Sequence, residues 1–343
     1  MSRALDSDIQ TSSEASNPQE VYHDIAEALQ PKAPSLLEIE FLGKSHPLPD
    51  GCNVLIDGNS IGISKAKLVQ AFVVARNLFF TYLDENLTVN QQDVHKATSV
   101  MLLMDAENTT AANTRKRLIQ RHQKESVETM KNILVQELLW VDGMLTSRLH
   151  RHTKSPTLWG HRRWVLEVCK SISLPYDVHK DLKDVIMVSG ERHPRNYYAW
   201  QHMRWVLENQ GSQKGHSKEL SLDDAKMLSM VLEWCTRHPS DTSGFSFLLY
   251  CLLYLPEITR TRKEVCSSVC EEVLKLTSSF QWTHESIWVF LRTLVASGQV
   301  KEEQKAEFFR TIQAIVAIQP GESKAKSVLS SAKNWCLDNQ AMV

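Results

Sequence analysis

Residues 196–207 read NYYAWQHMRWVL, and residues 155–166 read SPTLWGHRRWVL. When the first tryptophan of one stretch, Trp159, is superposed on the first of the other, Trp200, five further pairs of identical residues come into register. These pairs are His161 with His202, Arg163 with Arg204, and the Trp-Val-Leu run at 164–166 with the same run at 205–207. Two copies of one motif indicate an internal repeat, and an internal repeat decides the fold class.

Three fainter copies continue the same frame and have Ala112, Phe245 and Trp288 at the position of the first tryptophan. The five key positions, 112, 159, 200, 245 and 288, are separated by 47, 41, 45 and 43 residues. This period is longer than the roughly 34 residues of a tetratricopeptide repeat and is nearer to that of other repeats built from paired helices. We therefore expect stacked hairpins of two antiparallel helices, because a single hairpin cannot bury its apolar face alone.

The residues of the motif have a structural and a functional interpretation. The tryptophans at the key positions are expected to pack in the core, with ligand contact as the alternative. His161 and His202 recur at one position of the repeat, which favours an architectural role over metal binding. Asn196 is a natural N-cap, so we expect the turns that precede the motif helices to gather along one edge of the array.

Outside the repeats, the sequence predicts an N-terminal tail and a small β element. The tail is rich in Ser, Asp, Glu, Gln and Pro and is expected to be mostly disordered. A short helix is predicted over residues 21–29. Candidate strands lie over residues 37–41, 53–56 and 59–63. The predicted domains are the tail over 1–34, the β element over 35–63 and a helical-hairpin repeat domain over 64–343.

Composition narrows the class of protein. Lys and Arg number 39 and Asp and Glu number 40, which argues against general nucleic-acid binding. The seven cysteines are expected to be reduced and the protein cytoplasmic, because the first 30 residues are polar and lack an apolar signal segment. No apolar run approaches the roughly 20 residues of a membrane-spanning helix. The basic side chains Arg115, Arg117 and Arg121 are expected to form a solvated or partner-facing helix edge.

The repeated motif resembles the α subunits of protein farnesyltransferases and geranylgeranyltransferases, most closely over residues 195–207 and next over 154–166. The resemblance implies an all-α fold, a right-handed superhelix of α-helical hairpin repeats, with the small β element near the N-terminus. It implies an obligate α subunit of a heterodimeric protein geranylgeranyltransferase, inactive alone. The expected partner is a β subunit of the Rab geranylgeranyltransferase type, which holds the zinc ion, so neither a cofactor nor a metal is expected in this chain. The expected substrates are a prenyl diphosphate and proteins with an acceptor cysteine.

The resemblance also implies roles for individual residues. Lys154 occupies the place of the family's catalytic lysine, whose charge stabilises the departing diphosphate. Arg195, Asn196, Tyr197 and Tyr198 match the turn of the family's third repeat and are expected to bind the substrate. The tyrosines would donate hydroxyl groups or form an aromatic wall, with Arg195 as support.

Departures from the family pattern keep a second function open. Ser155, Pro156 and Thr157 replace the usual Asn-Tyr turn, and Met203 stands where the family has an arginine. The alternative is a non-catalytic helical-repeat scaffold that mediates protein–protein interaction. A stand-alone adaptor of the tetratricopeptide type is disfavoured by the period of the repeat.

Overall fold

A computed structural model describes residues 17–31, 35–43, 45–85, 90–122, 125–210, 222–255, 261–321 and 323–339. Helices predominate in these ranges, and one small sheet lies near the N-terminus, which confirms the predicted fold class. Of the tail over 1–34, which is expected to be mostly disordered, residues 1–16 and 32–34 fall outside the described ranges. The chain divides into two compact units, one ending at His202 and the other beginning at Met203.

The sheet has three strands in the order β1–β3–β2. They are β1 (Glu38–Leu42), β2 (Leu55–Asp57) and β3 (Ser60–Ser64). Strand β1 runs parallel to β3, and β2 runs antiparallel to it. Side chains alternate between two faces along a strand, and Ile39, Ile61 and Ile63 form the buried face. Each of the three predicted strands is therefore present, with its ends shifted by at most two residues.

The first unit contains a short N-terminal helix over the segment where one is predicted, followed by the first three motif helices. Its helices are α1 (Pro18–Ala28), α2 (Lys65–Glu85), α3 (Gln91–Met104), α4 (Thr109–Arg121), α5 (Val127–Thr146), α6 (His150–Thr153), α7 (Pro156–Ser171), α8 (Val178–Asp181), a π-helical turn (Leu182–Met187), α9 (Val188–Arg192) and α10 (Tyr197–Gln210). The boundary between the units falls within α10, so the last turns of this helix belong to the second unit.

All the regular secondary structure in the described part of the second unit is helical. Its helices are α11 (Leu222–Arg237), α12 (Thr242–Tyr254), α13 (Arg262–Phe280), α14 (Glu285–Ala296), α15 (Glu302–Ile318) and α16 (Lys324–Asn339).

The five motif helices begin in one register. Each of α4, α7, α10, α12 and α14 starts three residues before its key position, and the side chain at that position is buried in every case. In four of the five, the residue just before the helix caps it: Asn108, Ser155, Asn196 and Asp241 each accept a hydrogen bond from a backbone N–H in the first turn. Such caps satisfy N–H groups that have no partner inside the helix. The recurring turn and helix start expected from the sequence are confirmed.

Motif helices in both units pack beside the helix that precedes them and against a later helix of the array. In the first unit α3 contacts α4, α5 contacts α7, and α4 contacts α7. In the second unit α11 contacts α12, α12 contacts α14, and α14 contacts α16. This arrangement is that of stacked helix pairs. Among the described helices, none is both long enough and apolar enough to span a lipid bilayer.

Candidate functional site

Lys154 lies in the turn between α6 and α7, with its side chain exposed. Its neighbours Thr153 and Ser155 are fully buried, so the backbone is anchored on both sides of an outward-facing cation. Within the described residues, the ammonium group makes no hydrogen bond or ion pair. An exposed ammonium group on an anchored turn is suited to contacting an anion supplied from outside the chain.

The turn that carries Lys154 is tied to the corresponding turn of the next repeat. The carbonyl oxygen of Thr153 accepts a hydrogen bond of 2.7 Å from Nδ2 of Asn196 and one of 2.9 Å from Nε1 of Trp159. Asn196 is 1% exposed, and its Nδ2 also donates to the carbonyl of Ser189 at 3.3 Å. These bonds fix the position of the peptide group that directly precedes Lys154.

The third-repeat turn exposes three of the four residues predicted to bind the substrate. Arg195 is exposed and has a φ of 61°, a left-handed conformation that costs a residue with a Cβ atom roughly 1–2 kcal/mol. The side chains of Tyr197 and Tyr198 are 60% and 39% exposed, and their rings meet edge to face at 5.8 Å. Asn196 is the exception, because its amide bonds inward to the backbone. A direct substrate contact of these residues stays a prediction.

The carbonyl six residues before a key position is a recurring acceptor. In the first unit, Ser155 Oγ donates to Ala106 O at 3.0 Å, which parallels the bond from Asn196 to Thr153 one repeat later. In the second unit, Ser286 Oγ donates to Pro239 O, and Trp288 Nε1 donates to Trp282 O. Within each unit, the turns of successive repeats are therefore joined by side chains that bond a neighbouring backbone.

The remaining motif residues lie within the helices rather than on this edge. Trp159, Trp200, Trp288, His161 and His202 are buried, and Arg163, Trp164, Arg204 and Trp205 are half-buried. In the second unit, Arg204 Nη2 donates to Ser246 Oγ at 2.7 Å, and its guanidinium lies 5.3 Å from the centre of the Tyr250 ring. The structural interpretation of the tryptophans is consistent with this burial.

The prediction that Arg115 lies on a solvated or partner-facing edge is wrong. The side chain is fully buried, and its Nε and Nη2 donate to the two oxygens of Glu137 at 2.8 and 2.7 Å. His95 Nε2 and His161 Nε2 also donate to this carboxylate, at 3.0 and 2.6 Å. The guanidinium stacks on Trp140 at 3.6 Å. Spacing along a helix does not reveal that a carboxylate on a neighbouring helix has neutralised an arginine.

A second buried ion network lies one repeat further on. Arg162 Nε donates to Asp142 Oδ1 at 2.6 Å, and its Nη2 donates to Asp181. His202 Nε2 accepts a bond of 2.8 Å from Arg162 Nη1, and the hydroxyl of Tyr176 donates to Asp181. Arg115 and Arg162 both stand three residues after a key position. That repeated arginine was the sequence signal for these networks, together with two acidic residues inside the apolar stretch ILVQELLWVDGML of α5.

Electrostatics make the buried histidines neutral and the buried glutamate ionised. Burial lowers the pKa of His161 and of His202, and the cation of Arg162 lowers that of His202 further. Burial opposes ionisation of Glu137, but Arg115 and the two histidine donors outweigh it and hold its pKa well below the ordinary value. The bonds of these neutral rings to a carboxylate or an arginine give both recurring histidines a structural role in the core.

The described residues contain no group of three or more His, Cys, Asp or Glu side chains able to hold a metal ion. Cys266 and Cys270 are fully buried free thiols in α13, and burial raises the pKa of each to about 12. A thiol with such a pKa stays protonated at neutral pH and is a poor nucleophile. The exposed residues of the two bonded turns are Lys154, Arg195, Tyr197 and Tyr198, which we call the Lys154 edge. This edge offers cations and hydroxyl groups, which suits binding of an anionic group.

Comparison with known proteins adds an independent observation. Residues 158–280 match a family model described as the ECM9 middle domain. The chain is 26% identical over 259 residues to protein prenyltransferase alpha subunit repeat-containing protein 1-A of Xenopus laevis, covering 72% of this chain and 56% of the relative. It is 28% identical over 265 residues to protein prenyltransferase alpha subunit repeat-containing protein 1 of Homo sapiens, covering 74% and 62%. The chain thus spans a little over half the length of these curated relatives. The comparisons support the family that the repeated motif indicates, that of the protein prenyltransferase α-subunit repeat proteins.

Proposed function

We propose that the chain is the α subunit of a heterodimeric protein geranylgeranyltransferase and is inactive alone. In this proposal a β subunit of the Rab geranylgeranyltransferase type binds the helical repeats. The complex transfers a prenyl group from prenyl diphosphate to a cysteine thiol of a protein substrate. The free cysteines of the described residues fit a cytoplasmic location.

One observation supports this proposal above the others. The two turns that match the family's functional residues are bonded to each other, through Asn196 Nδ2 and the carbonyl of Thr153 at 2.7 Å. Lys154 follows Thr153 directly, and Tyr197 follows Asn196 directly. A lysine and two exposed tyrosines on turns that are hydrogen-bonded to each other are suited to binding a multiply charged phosphate group.

The roles of the residues follow from the chemistry of the transfer. The zinc ion expected in the β subunit would supply the acceptor cysteine as a thiolate. As the bond between carbon one and oxygen breaks, negative charge grows on the diphosphate, and the ammonium group of Lys154 lowers the energy of that charge. Tyr197, Tyr198 and Arg195 would add hydroxyl and guanidinium donors. Asn196 would act as a positioning residue, since its amide bonds the backbone beside Lys154.

The proposal is tested by co-expressing the chain with each type of prenyltransferase β subunit and assaying prenyl transfer. Lys154→Ala should lower kcat about 10²–10³-fold, which is the effect of removing one preorganised donor to a developing anion, and should leave assembly intact. The matched control is Lys131→Ala, because Lys131 has an exposed partner, Glu128, at 3.8 Å and such pairs contribute little.

Asn196→Ala gives a second test within the same assay. It should lower kcat less than Lys154→Ala does, because the cation remains and only its anchoring is loosened. Unchanged turnover in Lys154→Ala, with the complex intact, would remove the catalytic role of that residue.

A helical-repeat scaffold without enzymatic activity is the second candidate. Ala112 and Phe245 at the key positions, and Met203 in place of the family's arginine, favour it. Failure to recover any prenyltransferase β subunit in a stable complex would support the scaffold and contradict the enzyme subunit.

A further inference from the structure

A cleft of about 660 Å³ opens in the first unit, and none of the residues of the Lys154 edge lines it. Gln30 just after α1, the start of α3, the end of α4 and the first half of α5 form its walls. Leu118, Ile119 and Ile133 give the cleft an aliphatic floor. Its volume is in the range of sites that hold a small molecule or a few residues of a peptide.

The described lining of the cleft carries no uncompensated charge. It includes no lysine or arginine, and its carboxylate, Glu137, is bonded to the buried guanidinium of Arg115. An ionised group that entered the cleft would lose water without gaining a counter-charge, which is costly. The described lining therefore favours an uncharged occupant.

The rim of the cleft is rich in side-chain amides. Four of them make no side-chain hydrogen bond to any other residue in the described part of the chain: Gln91, Gln92, Asn132 and Gln136. A side-chain amide offers donors and an acceptor together without charge. An extended peptide presents the complementary pair, one N–H and one C=O per residue.

His95 adds one further acceptor. Its Nε2 lies 3.0 Å from Glu137 Oε2, and the ionised carboxylate can only accept, so Nε2 must carry the proton. Burial lowers the pKa of His95, which keeps the ring neutral and leaves Nδ1 as an acceptor. A peptide N–H is a suitable donor to this nitrogen.

We propose that this cleft binds an uncharged, extended peptide segment of a partner protein, with its main chain bonded to the amides and an aliphatic side chain on the floor. A nucleic acid does not fit, because the described lining has no cation to neutralise phosphates. A sugar is disfavoured because the described lining contains no Phe, Tyr or Trp.

The test is an array of hexapeptides built from Ala, Ser, Val and Leu, acetylated at the N-terminus and amidated at the C-terminus. Each has counterparts with one central Lys or Glu. The full chain should retain uncharged peptides that contain Val or Leu at least tenfold better than their charged counterparts. Asn132→Ala and Gln136→Ala should each weaken retention about fivefold, as the loss of one neutral hydrogen bond does.

The matched control is Gln313→Ala, because Gln313 is an exposed glutamine in α15 of the second unit. This variant should retain peptides like the unchanged chain, and all three variants should unfold at the same temperature. The proposal is overturned if no peptide is retained, if charged peptides bind equally well, or if the control loses as much binding as the cleft variants. Retention on the array is independent of prenyl transfer, so its failure would leave the proposed enzymatic function untouched.

Discussion

Glu137→Ala should be among the most destabilising single substitutions in the first unit. The carboxylate is 1% exposed and accepts four hydrogen bonds, two from Arg115 and one each from His95 and His161. Removing it leaves the guanidinium of Arg115, which is 0% exposed, without its counter-charge. Loss of one partner of a buried ion pair costs about 3–5 kcal/mol.

This cost should be visible in thermal unfolding followed by circular dichroism. About 4 kcal/mol corresponds to a fall in Tm of roughly 8–16 °C for a unit of some 200 residues. The control is Glu302→Ala, because Glu302 is 88% exposed and its partner Lys305 lies 3.7 Å away. The control should change the free energy of unfolding by less than about 1 kcal/mol.

A double-mutant cycle separates the free-energy cost of the unpaired Arg115 charge from the cost of the lost packing. Adding Arg115→Met to Glu137→Ala should recover part of the lost stability, since the double variant no longer buries an unpaired cation. The coupling between the two sites should be at least about 2 kcal/mol. A loss below about 1 kcal/mol for Glu137→Ala alone would refute the reasoning, because the carboxylate could not then be neutralising a buried arginine.

Two further predictions concern a pair of glycines and the buried histidine His202. Gly160 is exposed within α7, and a Cβ atom added there would meet only open space, so Gly160→Ala should stabilise the fold by about 0.5–1 kcal/mol. At Gly244 a Cβ atom would lie 2.4 Å from the Trp234 ring, so Gly244→Ala should destabilise the fold by about 1–3 kcal/mol. Denaturant unfolding measures both free-energy changes, and changes of the same sign for the two glycine variants would contradict this packing. Burial and Arg162 lower the pKa of His202 in the folded chain. In the unfolded chain the pKa of this histidine is about 6.5, so below that pH the unfolded chain binds a proton that the folded chain does not. This contribution to stability is present above that pH and is lost as the pH falls toward the folded pKa. His202→Gln should therefore reduce the slope of unfolding free energy against pH by up to about 1.4 kcal/mol per unit between about pH 6 and 5, and equal slopes would count against it.

Local patterns in the amino-acid sequence were enough to predict the repeat, the helix starts and the turns. The five key positions, the N-cap Asn196 and the three short strands are local features, because capping, side-chain alternation and helical spacing act within a few residues.

Packing between helices, by contrast, settles which polar residues are buried and what they bond. Arg115 has the pattern of a surface cation until Glu137 of a neighbouring helix lies against it. Asn196 has the pattern of a cap, and only the packing of two repeats brings its amide to the carbonyl of Thr153. Such contacts join residues more than 20 positions apart, and no pattern within one helix encodes which group on the next helix will accept or donate the bond.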